Sequence, residues 1–243
     1  MAEKVRDLRS ALERLRNMPG QLAETDVEVD PMAELAGVYR YVGAGGTVKR
    51  PTKEGPAMIF RNVKGHPDAS VAIGVLASRK RVAALLDCEP ESLGKMLYHS
   101  VEEPIAPVEF QGAPPCQEVV HLATDPDFDL NRLVPAPTNT PDDAGPYITL
   151  GMCYASHPDT GLHDVTIHRL CIQGKDELSI FFTRAHATSA QWQTARRNWD
   201  RHFRFPSVSV LILRLRSVPV SSRRQHRSVT MSFPLRVHCG KSR

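Results

Sequence analysis

The feature that most constrains the fold is a set of three alternating segments between residues 147 and 183, which short turns connect. The segments read YITLGMCYAS, HDVTIHRLCIQ and LSIFFT, and the turns between them read HPDTG and GKDE. Alternation of apolar and polar side chains is typical of β-strands, and turns this short join neighbouring antiparallel strands. The region therefore predicts an antiparallel meander, the kind of unit that closes small barrels.

The residues before this meander predict a mixture of helices and strands. Their patterns indicate a helix over residues 5–15, strands over 57–63 and 71–76, a helix capped by Ser78 and another helix beginning near Pro90. The glycine-rich stretch GVYRYVGAGGTVKRPT (37–52) lacks the GxxxxGK[ST] order of a P-loop, so we expect a loop there and leave a phosphate-binding role open. Residues 134–146 hold four prolines and predict a stiff connector or a domain seam.

Composition excludes several classes of protein. The mean hydropathy is −0.30, and no apolar run approaches the roughly 18 residues that a membrane-spanning helix needs. The five cysteines are scattered without a CxxC pair, which argues against a disulfide framework or a zinc site and fits a reducing compartment. The first twenty residues have no apolar core of a secretory signal. We therefore expect a cytoplasmic protein without a membrane partner.

Charge is distributed unevenly along the chain. Residues 201–243 contain ten Lys or Arg and no Asp or Glu, while residues 1–200 carry 21 basic and 27 acidic side chains. A basic tail on an acidic body is typical of an arm that binds nucleic acid or a membrane surface. That interpretation competes with another, given below, in which the tail has no evolved function.

The middle strand of the meander concentrates the residues that could carry chemistry. Strand alternation places Val165, Ile167, Arg169 and Cys171 on one face, and Asp164, Thr166, His168, Leu170 and Ile172 on the other. A carboxylate can bind a hard metal ion, and arginine suits a bidentate hold on phosphate or carboxylate. Charges that are solvated or paired locally would give the same pattern, and spacing alone leaves both readings open.

Longer strings resemble one enzyme family. PAPTNTPDDAGPYITLGM, HPDTG and DVTIHRL, with ETDVEVDPMAELAGVYRYVGAGGTVKRPTKEGPAMIF and ASRKRVA upstream, resemble the UbiD family of decarboxylases and its subgroup that acts on hydroxylated benzoates. The resemblance covers about residues 1–183. It implies an α+β protein with an N-terminal α/β domain (1–133) and an incomplete split β-barrel that binds flavin (134–183), without the family's C-terminal domain.

The resemblance also implies a cofactor and its ligands. Family members are reversible, non-oxidative carboxy-lyases that use prenylated FMN, whose phosphate is bridged by Mn²⁺, often with K⁺ nearby. Their Asn-x-x-x-x-Arg motif falls on Asp164 and Arg169, which implies a metal ligand at Asp164 and a catalytic role for Arg169. The cofactor-binding segment implied in this way comprises Asp164, Val165, Thr166, Ile167, His168 and Arg169. Asp in place of Asn departs from the wider family but resembles the phenolic-acid subgroup.

Partners follow from the same resemblance. It implies a small aromatic acid such as 4-hydroxybenzoate, vanillate or gallate as substrate, assembly into homo-oligomers, and a flavin prenyltransferase that supplies the cofactor. It implies neither nucleic acid nor membrane as a partner.

The resemblance ends at Thr183, where the family continues with a PG-x-RHIG loop. Residues 184–192, RAHATSAQW, can be encoded by CGGGCACACGCCACATCGGCGCAATGG, which read from its third base gives GTRHIGAM. We therefore expect residues 184–243 to be an out-of-frame, disordered tail, His186 to have no metal role, and this copy to be an inactive fragment. The alternatives are a non-catalytic remnant that binds flavin and a nucleic-acid-binding protein that acts through the tail.

Overall fold

The computed structural model describes residues 4–44, 54–103, 105, 111–112, 118–156, 163–180 and 207–210. The chain divides into two compact units, one formed by residues 1–30 and 34–112, the other by residues 31–33 and 113–243. The division after residue 112 lies upstream of the domain boundary expected after residue 133, which stays a prediction. Within the described residues, no helix is long and apolar enough to cross a membrane.

The first unit is a small sheet with helices packed against it. Its elements are α1 (Leu8–Arg16), β1 (Leu22–Thr25), α2 (Glu34–Ala44), β2 (Ala57–Phe60), β3 (Val71–Ile73), α3 (Arg79–Leu85) and α4 (Leu93–Glu102). The strand order is β1-β2-β3, with β1 parallel and β3 antiparallel to β2. All four residues of β2 are buried, as expected for a central strand covered on both faces.

Helix α1 confirms the expected amphipathic segment. Asp7 accepts a hydrogen bond from the Ser10 backbone at 2.8 Å, while the Ser10 hydroxyl accepts one from the Asp7 backbone at 3.0 Å. This reciprocal cap fixes the first turn. One apolar cluster then joins Ala11 and Leu15 of α1 to Ala57 of β2 and Leu85 of α3. Ser78 caps α3 as expected, accepting from the Arg81 backbone at 3.5 Å.

Helix α2 corrects the loop expected over residues 37–52. Residues 34–44 are helical, and residues 45–53 lie outside the described part of the chain. Leu35, Val38, Tyr39 and Val42 recur at helical spacing and pack with Met58, Phe60 and Val63. The burial of this stripe outweighs the low helix propensity of the two glycines in α2, which had suggested a loop.

Arg81, buried inside the first unit, forms hydrogen bonds with residues next to the ends of all three strands. Its side chain is buried and donates to the carbonyl oxygens of Gly55 at 2.7 Å and Gly74 at 3.0 Å, and to the side-chain oxygen of Gln21 at 3.3 Å. Gln21 and Gly55 precede β1 and β2, and Gly74 follows β3. Because a buried charge needs hydrogen-bonding partners, these three acceptors hold the strand ends at fixed positions.

The second unit contains the expected meander. After the short helix α5 (Leu130–Leu133) come β4 (Tyr147–Ser156), β5 (His163–Ile172), β6 (Leu178–Ile180) and β7 (Ser207–Val210). They form an antiparallel sheet of order β6-β5-β4-β7. Gln173 donates to the Glu177 carbonyl at 2.9 Å and closes the turn between β5 and β6. The HPDTG turn lies outside the described residues.

Strand β7 differs from the disorder expected over residues 184–243. Ser207–Val210 pairs with Gly151–Tyr154 of β4, so four residues of the tail are a strand. The remaining residues after 180, including His186, lie outside the described part, and the out-of-frame origin of the tail stays a prediction.

Ala33 has a strained backbone that hydrogen bonds hold in place. Its φ is +64°, a region that a Cβ atom disfavours. Its N–H donates to the Thr138 carbonyl at 2.8 Å, and the Thr138 N–H donates to the Pro31 carbonyl at 3.0 Å. The bridge therefore maintains a conformation that glycine would adopt without strain.

We predict that Ala33→Gly raises the free energy of unfolding by up to about 1 kcal/mol, because relief of strain exceeds the entropy cost of glycine. The matched control Ala36→Gly, inside α2, should lower it by about 1 kcal/mol. Urea unfolding followed by circular dichroism measures both. Equal losses of stability in the two variants would contradict the strained geometry at Ala33.

Candidate functional site

The pairing of β4 with β5 contains an irregularity beside Arg169. Ile148 pairs with Leu170, but the next pair is Gly151 with His168, so Thr149 and Leu150 together oppose Arg169. Such a β-bulge bends the strand and increases its local twist, and bulges often redirect a side chain beside a functional site. The conformation around Arg169 is therefore set by the partner strand as well as by β5.

The two faces of this sheet differ in exposure. Met152 and Ile167 pair directly across β4 and β5 and are 42% and 63% exposed. Arg169 lies on the same face as Ile167, two residues along the strand, and is also exposed. The opposite face is buried and includes Ile148, Cys153, Leu170, Ile172, Leu178 and Ile180. We name the exposed face, defined by Met152, Ile167 and Arg169, the open face.

The guanidinium of Arg169 lies against an aromatic ring. Its central carbon is 5.9 Å from the centroid of the Tyr147 ring, within the range of a cation–π interaction. Among the described residues, no carboxylate lies within 4 Å of the Arg169 nitrogens. The open face therefore combines an exposed cation, which can hydrogen-bond to an anion, with apolar side chains that suit a flat ring.

The phenol of Tyr147 stays protonated at neutral pH. Burial raises its pKa, and a hydrogen bond with the Cys171 sulfur raises it further, against the opposing effect of the Arg169 charge. Gln173 Nε2 also donates to the Cys171 sulfur at 3.0 Å. Cys171 itself is buried, as expected of a core cysteine. The Tyr147 ring near which the Arg169 guanidinium lies therefore belongs to the strand position paired with Cys171.

The second buried cysteine of the sheet is unsuited to nucleophilic chemistry. Burial raises the pKa of Cys153 to about 11, so the thiol stays neutral at physiological pH. The thiolate is the reactive and metal-binding form of cysteine. Cys153 therefore serves packing, in agreement with its sequence-based interpretation as a core residue.

The structure brings together only part of the expected cofactor segment. Ile167 and Arg169 share the open face, whereas His168, paired with Gly151, alternates to the other face. The backbones of Asp164, Val165 and Thr166 pair with residues 155, 154 and 153, but their side chains lie outside the described part. The described residues contain no cluster of three His, Cys, Asp or Glu side chains for a metal ion. The metal role of Asp164 therefore stays a prediction.

Sequence reasoning missed two residues that shape the site, Tyr147 and Gly151. A Cβ atom at Gly151 would lie 2.8 Å from Leu170 Cδ1 and 3.0 Å from the His168 carbonyl oxygen. A glycine inside a strand pattern is a known sign of a bulge or a close approach, and that sign was present. Tyr147 gave no such sign, because its contact with Arg169 depends on the register of the two strands.

Comparisons with known proteins agree on one family. Two UbiD family models match, the N-terminal domain of 3-octaprenyl-4-hydroxybenzoate carboxy-lyase over residues 12–101 and its Rift-related domain over residues 108–209. The second match extends beyond residue 183, where we expected the resemblance to end, and reaches into β7. The gallate decarboxylase of Lactiplantibacillus plantarum is 53% identical over 182 residues, which is 74% of this chain and 37% of that protein.

Solved structures give the same result. The apo 3,4-dihydroxybenzoic acid decarboxylase AroY of Klebsiella pneumoniae is 52% identical, with a TM-score of 0.73 over 80% of this chain and 40% of that one. The UbiD-class enzyme HmfF of Pelotomaculum thermopropionicum, solved with FMN, is 28% identical, with a TM-score of 0.62 over 79% of this chain and 40% of that one. The chain spans about two fifths of the length of these relatives.

We predict that Gly151→Ala lowers the free energy of unfolding by about 1–3 kcal/mol, because the added methyl group overpacks the contact with Leu170 and His168. The matched control is Gly94→Ala in the first turn of α4, where nothing lies within 4 Å of the new Cβ. The free energy of unfolding of that variant should rise by up to about 1 kcal/mol. Amide hydrogen exchange should localise the loss in Gly151→Ala to β4 and β5. Unchanged protection there would contradict the close approach.

Proposed function

This chain belongs to the UbiD family of carboxy-lyases, and we propose that its open face binds prenylated FMN together with a hydroxylated aromatic acid. The reaction proposed for its lineage is the reversible, non-oxidative decarboxylation of acids such as 4-hydroxybenzoate, vanillate or gallate, and we propose that this copy binds the ligands without turnover. One observation carries the proposal: Arg169 is exposed among apolar side chains, with no carboxylate partner among the described residues.

Arg169 would hold the anionic part of a ligand. A guanidinium can donate two parallel hydrogen bonds to a carboxylate or a phosphate, which fixes both position and orientation. Ile167 and Met152 would contact a flat ring beside that anion and exclude water from it. Because removal of water strengthens electrostatic interactions, these apolar neighbours would increase the hold of Arg169 on the anion.

The residues of the open face fit a flavin, which combines a flat ring system with negative charge. The proposed cofactor segment is residues 164–169, of which Ile167 and Arg169 lie on the open face. When bound, prenylated FMN supplies an electron sink for the electron pair left on the aromatic ring by departing CO₂. A role for Asp164 as a ligand of Mn²⁺, with K⁺ nearby, rests on the family resemblance.

The reaction breaks the bond between the ring carbon and the carboxylate carbon. The aromatic carboxylate and one proton give the arene and CO₂, so an acid must deliver that proton to the ring carbon. Arg169 would orient the carboxylate before the bond breaks. Among the described residues, no carboxyl group lies within 4 Å of the Arg169 nitrogens, so they include no carboxylic acid placed there to deliver this proton.

Two further partners are proposed on the family resemblance. Assembly into homo-oligomers and supply of the cofactor by a flavin prenyltransferase are properties of the family, and we extend both to this protein. An active decarboxylase and a flavin-binding remnant without catalysis both require flavin binding and differ in turnover alone. One experiment therefore separates binding from turnover.

We predict that purified chain incubated with prenylated FMN and Mn²⁺ retains flavin absorbance after desalting and releases no CO₂ from gallate or 4-hydroxybenzoate above the protein-free level. Arg169→Leu should weaken flavin binding about tenfold or more, the effect of losing one charged hydrogen bond. The matched control is Arg132→Leu, an exposed arginine of α5 in the same unit, which should bind as wild type does.

Each result decides a different part of the proposal. Failure of the wild-type chain to retain flavin would contradict flavin binding, and equal retention by Arg169→Leu would contradict the role of Arg169. CO₂ release by the wild-type chain would show that a proton donor is present, which would establish catalysis and exclude the non-catalytic remnant.

A further inference from the structure

The bulge in β4 changes which residue lies near Arg169. Tyr147 pairs with Cys171, two residues from Arg169, so Tyr147 and Arg169 are diagonal neighbours on one face. Diagonal positions are within reach of long and aromatic side chains. The residues opposite Arg169 are Thr149 and Leu150, both exposed, and the bulge separates them from the regular ladder. The guanidinium instead lies 5.9 Å from the Tyr147 ring centroid.

Tyr147 is held at the start of β4. Its backbone N–H donates to the Pro137 carbonyl at 3.0 Å, which fixes the start of β4 to the proline-rich connector. Its direct partner across the strands is Cys171, a buried residue whose sulfur accepts from Gln173 Nε2 at 3.0 Å. Arg169 by contrast is exposed, with no ion pair to a described carboxylate. The contact therefore joins a ring at a fixed strand position to a side chain with many rotamers.

We propose that Tyr147 is a positioning residue for Arg169: its ring face carries the guanidinium and keeps the N–H donors directed at the anion that Arg169 binds. The consequence for ligand binding rests on the proposed function of the open face. The N–H groups of a guanidinium lie in its own plane and point outward. When one flat side of the guanidinium faces an aromatic ring, these groups stay free to form a bidentate contact with an anion. Without the ring, binding an anion would also require ordering the Arg169 side chain.

The ring, and not the hydroxyl, carries this role. Tyr147→Phe keeps the aromatic face and loses the hydroxyl, whereas Tyr147→Leu keeps an apolar side chain and loses the face. A purely structural role of the hydroxyl would affect both variants alike. If the ring positions Arg169, Tyr147→Phe should keep the wild-type Arg169 resonance and ligand affinity, and Tyr147→Leu should lose both.

The first measurement is independent of any ligand. The Nε–Hε resonance of Arg169, assigned by its loss in Arg169→Lys, should stay near its wild-type position in Tyr147→Phe and move in Tyr147→Leu, because the ring current is lost. An unchanged Arg169 resonance in Tyr147→Leu would overturn the proposal. If Tyr147→Leu does not fold, the ring resonances of Tyr147 in Arg169→Gln, a change at an exposed residue, report the same contact. Their movement supports the proposal, and unchanged positions overturn it.

The second measurement uses FMN as the probe with the full chain. Affinity measured by quenching of flavin fluorescence should be within twofold of wild type in Tyr147→Phe and about two- to fivefold weaker in Tyr147→Leu, as expected from one cation–π contact. Equal affinities of the wild type and a folded Tyr147→Leu variant would overturn the positioning role. Absence of FMN binding to the wild-type chain would instead refute the proposed function, and the resonance measurement would then decide the Tyr147 contact alone.

Discussion

The pairing of β4 with β5 is the constraint on which the open face depends. Regular pairing on both sides of the bulge fixes two registers, one from Tyr147 to Ile148 and the other from Gly151 to Ser156. The first register pairs Tyr147 with Cys171, which places the aromatic ring at the start of β4 diagonally opposite Arg169. Gly151 permits the close approach that follows the bulge. A side chain at that position would press on Leu170 and on the His168 carbonyl oxygen, both of which would have to shift.

Arg81 and Arg169 carry the same charge, but their environments give them different roles. Arg81 is buried and its two terminal nitrogens donate to two carbonyl oxygens and one amide oxygen, so its charge stabilises the first unit. Arg169 is exposed, rests on an aromatic ring, and has no ion pair with a described residue. Because Arg169 is exposed, an anion from solution can reach its donors, whereas those of the buried Arg81 are out of reach.

Local patterns predicted much of the fold. The 3-4-3 spacing of α1, the serine cap of α3 and the alternation of β4, β5 and β6 each correspond to an element of the structure. The glycines of α2 misled the prediction, because local propensity does not include the burial of Leu35 against β2. The hydrogen bonds of Arg81 could not be predicted from the sequence either, because their acceptors come from three separate parts of the chain. Of the candidate site, Arg169 was identified through a family resemblance, and Tyr147 required the strand register.

The central claim is that the open face is the surface that binds flavin. The most direct test is the response of assigned methyl resonances to added FMN. We expect the Met152 and Ile167 methyl signals of the open face to shift in proportion to bound FMN, while the methyl signal of Ile59, buried in β2, stays in place. Shifts that spare Met152 and Ile167, or that appear at Ile59 instead, would contradict the account.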